Sequence, residues 1–143
     1  MARPRKSKGL TLLGRSETAV PSAPSAAILE TFANPSRRPY WIHFQSADFT
    51  SLCPITGQAD FAEIQIDYQP GDRCLETKSL KFYLASYRSE RAFNEAVTNQ
   101  ILNDLVRACD PRQMSVRADF AARGGISLRV TATYPDEIDG AAR

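Results

Sequence analysis

Phe61-Ala62-Glu63-Ile64-Gln65-Ile66-Asp67-Tyr68-Gln69 alternates in period two: Ala62, Ile64, Ile66 and Tyr68 fall on one face, Glu63, Gln65 and Asp67 on the other. Successive side chains of a strand point to opposite faces, so this stretch is a strand with one buried and one wet side. Half-apolar strands of this kind belong to antiparallel sheets, which pack one face on a core and leave the other to water. The signal recurs on both sides. Pro39 to Ser46 sets Tyr40, Ile42 and Phe44 against Trp41, His43 and Gln45. Met114 to Phe120 sets Met114, Val116, Ala118 and Phe120 against Ser115, Arg117 and Asp119, and Ile126 to Tyr134 carries Ile126, Leu128, Val130 and Ala132 on one face. Arg123-Gly124-Gly125 is the hairpin turn between the last two.

Between the two strand pairs the period changes. Pro70-Gly71-Asp72 is a turn, and Cys74-Leu75-Glu76 a short extended entry to the next element. Thr77 is placed to cap a helix over Lys78–Leu84, in which Leu80, Tyr83 and Leu84 recur at helical spacing. A longer helix follows over Ala92–Ala108, with Phe93, Val97, Ile101, Leu102 and Leu105 as its apolar stripe and Asp110-Pro111 as its stop. The order is ββααββ, an α+β architecture with two helices laid on one face of an antiparallel sheet.

A chain of 143 residues with 43% apolar content supports one core. The net charge of +2 is unevenly spread: residues 1–40 hold seven basic and two acidic side chains, the remainder eleven and fourteen. Residues 1–38, interrupted by Pro21, Pro24 and Pro35, read as a basic, disordered arm with a short helical patch around Ala26–Phe32, and residues 39–143 as a single domain. No aromatic residue interleaves with the basic run, so direct nucleic-acid binding is not expected. Cys53, Cys74 and Cys109 make neither a disulfide framework nor a metal-knuckle pattern, which fits a reducing cytoplasm. Neither an export signal nor a membrane span is expected.

Chemistry concentrates in Leu52-Cys53-Pro54-Ile55-Thr56-Gly57-Gln58-Ala59-Asp60-Phe61, which puts a cysteine and a carboxylate at the two ends of one tight connection. Pro54 biases Cys53 toward an extended conformation and Gly57 permits a positive φ, so Cys53 sits at a rigid bend. Backbone N–H groups free at such a bend favour thiolate over thiol; the plainer alternative is a small apolar filler at a strand end. Lys78 and Lys81, one turn apart, form either a solvated face or an anion site at a helix start. Glu95 lies in the first turn of the second helix, where the dipole alone would favour a carboxylate. His43, the sole histidine, reads as an ordinary strand residue with no metal partners.

Taken together, Leu52–Phe61, then Leu75-Glu76-Thr77-Lys78-Ser79-Leu80-Lys81-Phe82-Tyr83-Leu84, Phe93-Asn94-Glu95, and Phe120 with Arg123-Gly124-Gly125-Ile126-Ser127 resemble the short form of the NADPH-dependent 7-cyano-7-deazaguanine reductases of queuosine biosynthesis. The resemblance runs from about Tyr40 to Tyr134. It implies the tunnelling fold, whose ββααββ subunits close into barrels, with active sites between subunits of a homo-oligomer of two stacked pentamers. It further implies that Cys53 is the nucleophile that forms a covalent thioimide with the nitrile, and Asp60 the proton donor. Leu75, Glu76, Thr77, Asn94 and Glu95 would contact the substrate, Glu95 accepting from the neighbouring donors of the guanine-like edge. Lys78, Ser79 and Lys81 would bind NADPH, with Arg123 joining them; no metal is implied. One position departs from the pattern: the family usually has His before that Glu, and here stands Asn94. Within the same superfamily, a purine- or pterin-binding protein without turnover is the alternative. A zinc-dependent cyclohydrolase would need a Cys/His set that this spacing does not provide.

Overall fold

Residues 9–11 and 20–136 are described by the computed structural model. The basic residues of the arm from Arg3 to Lys8, and Arg15, lie outside the described residues. Eight elements follow a 3-10 turn at Ala26–Ile28: β1 (Thr31–Ala33), β2 (Ile42–Leu52), β3 (Ala59–Gln69), β4 (Arg73–Leu75), α1 (Thr77–Ala85), α2 (Asn94–Cys109), β5 (Gln113–Arg123) and β6 (Ile126–Tyr134). The four long strands form one antiparallel sheet in the order β2-β3-β5-β6. The expected ββααββ order holds, and β1 pairs with β4 in a separate two-stranded ribbon.

The core is the one the alternation drew. Ile64, Ile66, Tyr68, Val116, Ala118 and Met114 are buried on the sheet face that packs against Leu80, Tyr83, Val97, Ile101 and Leu105 of the helices. Tyr83 ties the two helices together: its hydroxyl donates to Asp104 Oδ2 at 2.6 Å and lies 2.8 Å from that of Tyr87. Burial is the main cause that pushes the Tyr83 and Tyr87 hydroxyls far above the usual phenol range, so both stay protonated and serve as buried linkers. α2 stops where expected, with Asp110 in the left-handed conformation (φ 45°) and its N–H on Val106 C=O.

Several boundaries differ from the sequence reading, each for a local reason. Strand β2 begins at Ile42 and runs on to Leu52, with a bulge between Ser46 and Phe49. The helical patch expected over Ala26–Phe32 is the 3-10 turn followed by β1, because Thr31–Ala33 finds an antiparallel partner in β4. Ile28 and Leu29 of this segment pack against the core. The cap of α1 is Glu76, not Thr77: its carboxylate accepts from the N–H groups of Lys78 and Ser79, both at 2.7 Å. Phe93 and Ile126, read as core-facing, are 60% and 75% exposed: Phe93 is the N-cap of α2 and Ile126 the first residue of β6, so each stands at the outer end of its element.

Candidate active site

The connection from β2 to β3 is a closed turn. Cys53 N–H donates to Gln58 C=O at 2.8 Å, Gly57 N–H donates back to Cys53 C=O at 2.9 Å, and Thr56 Oγ1 accepts from Gln58 N–H at 3.2 Å. Gly57 has φ 72°, and a Cβ there would lie 2.8 Å from Arg91 Nη2, so glycine permits both the turn and the approach of the guanidinium. Leu52 is bonded to the segment leading into α2, donating to Glu90 C=O at 2.9 Å and accepting from Ala92 N–H at 3.1 Å. The turn is thereby fixed between β3 and the start of α2.

Cys53 is half-buried and free, and its thiol is lowered to about 7. The largest cause is the Thr56 hydroxyl, followed by the backbone N–H groups of Thr56 and Ile55; partial desolvation opposes them, and Arg123 adds a smaller stabilisation of the thiolate. Near neutrality about half of the molecules therefore carry the reactive anion. Cys109 is the contrast: buried, it is pushed up to about 12 and stays an inert thiol.

Two bulges bring the other polar groups to this cysteine. Along β3, Asp60 shares the core face with Ala62 and Ile64 and is 6% exposed, while Phe61 points the other way and is 58% exposed. Asp60 is thus buried at the end of the core row. On β2, the bulge after Ser46 shifts the phase by one residue, so that Phe49 and Ser51 turn to the core face and Ser51 pairs with Asp60. On β5, a second irregularity between Phe120 and Arg123 places Arg123 opposite Ile126 while Phe120 stays opposite Leu128. One extra residue has been inserted, and Arg123 moves to the face that holds Asp60. Its Nη1 donates to Asp60 Oδ1 at 2.8 Å, and its Nη2 donates to Gln58 Oε1. Nucleophile, turn and carboxyl group form one connected unit.

Glu95 lies in the first turn of α2 at this same end of the molecule and is exposed, free to accept from a ligand. Asn94 is half-buried, and its Oδ1 is buried with no hydrogen-bond partner among the described residues, as is Ser51 Oγ. The sheet end around these residues carries Ile55, Phe61, Phe93 and Ile126, all exposed.

The other group of expected site residues lies elsewhere. Leu75 N–H donates to Tyr68 Oη at 2.9 Å, which fixes the Leu75–Lys81 segment at the far end of β3. Asp60 and Tyr68 are eight residues apart on one strand, a span of about 26 Å at the usual rise. Within this segment Ser79 is fully buried; its hydroxyl donates to Glu76 C=O at 2.9 Å and accepts from Glu30 N–H at 3.0 Å. The N–H groups of Lys78, Ser79 and Leu80 are all satisfied by Glu76, so an anion at this helix start would be met by side chains and not by backbone. Thr77 and Lys81 line a groove of about 640 Å³ between α1 and β2, with Arg88 further along its wall. His43, on the opposite face of the sheet, is paired with Asp67.

The structure thus brings together Cys53, Asp60 and Arg123, with Asn94 and Glu95 at the same end, and separates them from Leu75, Glu76, Thr77, Lys78, Ser79 and Lys81. It adds Thr56, Gln58 and Arg91, which sequence reasoning had not singled out. Thr56 and Gln58 stood in the quoted turn as the polar residues able to serve the nucleophile; nothing in the sequence pointed to Arg91.

Comparison with known proteins gives a consistent set of matches. The QueF-like protein family matches residues 59–139. A protein of Magnetococcus marinus named NADPH-dependent 7-cyano-7-deazaguanine reductase is 50% identical over 115 residues, covering 80% of this chain and 90% of its own length. One of the same name from Alkalilimnicola ehrlichii is 54% identical over 107 residues, covering 74% and 83%. Among solved structures, the archaeosine synthase QueF-Like in its apo form superposes with a TM-score of 0.63 at 23% identity, over 68% of this chain and 95% of that one. At that identity the likeness speaks to the fold alone, and the fold is the tunnelling fold.

Proposed function

The chain belongs to the QueF-like family, and on that premise we propose that it reduces the nitrile of 7-cyano-7-deazaguanine to the primary amine with NADPH, the activity in its relatives' name, as a step of queuosine biosynthesis. The observation that carries the reading is Cys53, a thiol lowered to about 7 in a turn whose Gln58 shares Arg123 with the buried Asp60. A mere binding protein has no use for such a pair.

The chemistry follows from these groups. The Cys53 thiolate adds to the nitrile carbon: a C–S bond forms, one C–N π bond breaks, and the electron pair moves to nitrogen. The nitrogen takes a proton from Asp60, which has received the one Cys53 gave up, so the thiol adds across the triple bond without net proton uptake. The resulting thioimide is a far better hydride acceptor than the nitrile. NADPH, when bound, supplies the hydrides, two per nitrile because the reduction takes four electrons. Asp60 is the group placed to protonate nitrogen with the first hydride; Cys53 then leaves as thiolate and the iminium takes the second, two protons drawn from solvent, one through Asp60 to nitrogen and one to the thiolate, completing the balance. Glu95 accepts from the N1–H and 2-amino donors of the base and fixes it over Cys53.

For the cofactor, Lys81 on the groove wall, with Lys78 one turn earlier and Arg88 beyond, supplies cationic side chains suited to its phosphates. Ser79 serves this segment by anchoring it through Glu30 and Glu76. No glycine-rich dinucleotide loop is involved.

The two groups of site residues are too far apart to meet within one subunit. We take the complete site to lie between subunits, Leu75–Lys81 of one chain facing Cys53, Asp60 and Glu95 of the next, in a decamer of two pentamers. The open edges of β2 and β6 and the exposed Ile55, Phe61, Phe93 and Ile126 around the nucleophile are surfaces that such an assembly would cover. Residues 39–143 form the catalytic domain, with the 3-10 turn and β1 docked on it. The three free cysteines suit the cytoplasm, and among the described residues no helix is long and apolar enough to cross a membrane. Cys53→Ala is expected to abolish both the adduct and turnover; turnover at the normal rate in that variant contradicts the mechanism.

A further inference from the structure

Resting on the reductase reading, we infer that Arg123 is a positioning residue of the addition step, holding the Asp60 acid and the Cys53 turn in one arrangement. The guanidinium is occupied on two sides at once. One nitrogen donates to Asp60 Oδ1 at 2.8 Å and the other to the side-chain oxygen of Gln58, whose own carbonyl accepts from Cys53 N–H at 2.8 Å. A single planar fork therefore spans from the acid to the residue that closes the nucleophile's turn. Only arginine offers two parallel donors in fixed geometry; lysine is a point charge.

Three features of the fold are spent on reaching this contact. The β5 irregularity turns Arg123 to the face of Asp60, where uninterrupted alternation would have set it on the opposite face. The hairpin that follows needs positive φ at both Gly124 (59°) and Gly125 (79°), which fixes the strand end bearing Arg123. Asp60, at 6% exposure, is nearly closed to water on its other sides, and Arg123 is its ionic partner. When the carboxyl becomes protonated during addition, its hold on Arg123 weakens, and the acid is released toward the nitrile nitrogen.

The test uses adduct formation, which requires no NADPH. Purified wild-type protein, Arg123→Met, Arg123→Lys and Gln58→Ala are mixed with 7-cyano-7-deazaguanine, and thioimide absorbance is followed in stopped flow across pH 5.5–9.5. Iodoacetamide alkylation of Cys53 is measured in parallel; Cys74 and Cys109, 2% and 1% exposed, do not compete. Expected for Arg123→Met is adduct formation slowed roughly 10- to 100-fold at pH 7, the scale of a displaced general acid, with the alkylation midpoint moved upward. Arg123→Lys recovers the midpoint but only part of the rate. Gln58→Ala, which strands no buried charge and so keeps the fold, slows the adduct by a smaller factor with KM for NADPH unchanged. Wild-type adduct rates in Arg123→Met and Gln58→Ala, with KM for NADPH raised in the former, overturn the inference and return Arg123 to the cofactor. Absence of adduct in the wild type overturns the reductase reading itself, a result distinct from losses confined to the variants.

Discussion

Thr56→Val removes the largest single influence on the nucleophile while leaving its shape in place. The Thr56 hydroxyl donates to the Cys53 sulfur and heads the causes that lower its thiol to about 7; the backbone N–H groups of Thr56 and Ile55 remain in the variant. If those retain about a third of the effect, the midpoint rises to about 8, below the ordinary thiol value of about 8.5. The sign follows from the thiolate fraction. At pH 7 it falls from about one half to roughly one tenth, a fivefold loss, whereas at pH 9.5 both proteins are almost fully ionised and the loss disappears. The more basic thiolate is also intrinsically about threefold more nucleophilic per unit of pKa, which offsets much of the loss at pH 7 and makes the variant faster at high pH. The midpoint is therefore the decisive readout. It is measured by iodoacetamide alkylation across pH 5.5–10, or by the 240 nm absorbance of the thiolate. A midpoint unchanged within 0.2 units would refute the account of how this turn activates its cysteine.

Other parts of the structure make separate predictions. Glu76→Ala loses the cap on Lys78 and Ser79 and should lower stability by about 1–2 kcal/mol in chemical denaturation; no change would mean that the cap is dispensable. Removing residues 1–19 should leave stability and turnover intact. Removing residues 1–35 should instead cost about 2–4 kcal/mol, because it strips β1 from β4 and takes away the packing of Ile28 and Leu29; equal melting of the two truncations would contradict that docking. Asp60→Asn should bind 7-cyano-7-deazaguanine with near-normal affinity in calorimetry yet oxidise NADPH at least 100-fold more slowly, and full turnover would remove Asp60 from the proton path.

Much of this was legible because burial enforces it. The period of Ala62, Ile64, Ile66 and Tyr68 is the face of β3 that meets the helices, and Val97, Ile101 and Leu105 had to face back. What stayed hidden depends on backbone phase. Ser46-Ala47-Asp48 and Ala121-Ala122 are small or polar and signal no bulge, yet those two shifts decide that Ser51 and Arg123 share a face with Asp60. The resemblance grouped Arg123 with the lysines; its contact with Asp60 is visible only once the register is known. Phe93 and Ile126 misled in another way, since apolar periodicity does not say whether a residue is covered by its own chain or by another. Thr77 looked the better cap by residue type, but Glu76, one position earlier and held by Glu30, has the longer side chain that reaches both free N–H groups.

The central claim is that Cys53 and Asp60 form a working nitrile-reducing pair. Its most direct test is to mix the purified protein with 7-cyano-7-deazaguanine, record the absorbance of the covalent thioimide, and then add NADPH and follow its oxidation at 340 nm. One adduct per Cys53 and two NADPH oxidised per nitrile are expected, with the primary amine as product. A protein that binds the base tightly but forms no thioimide, or that oxidises no NADPH once the thioimide has formed, contradicts it.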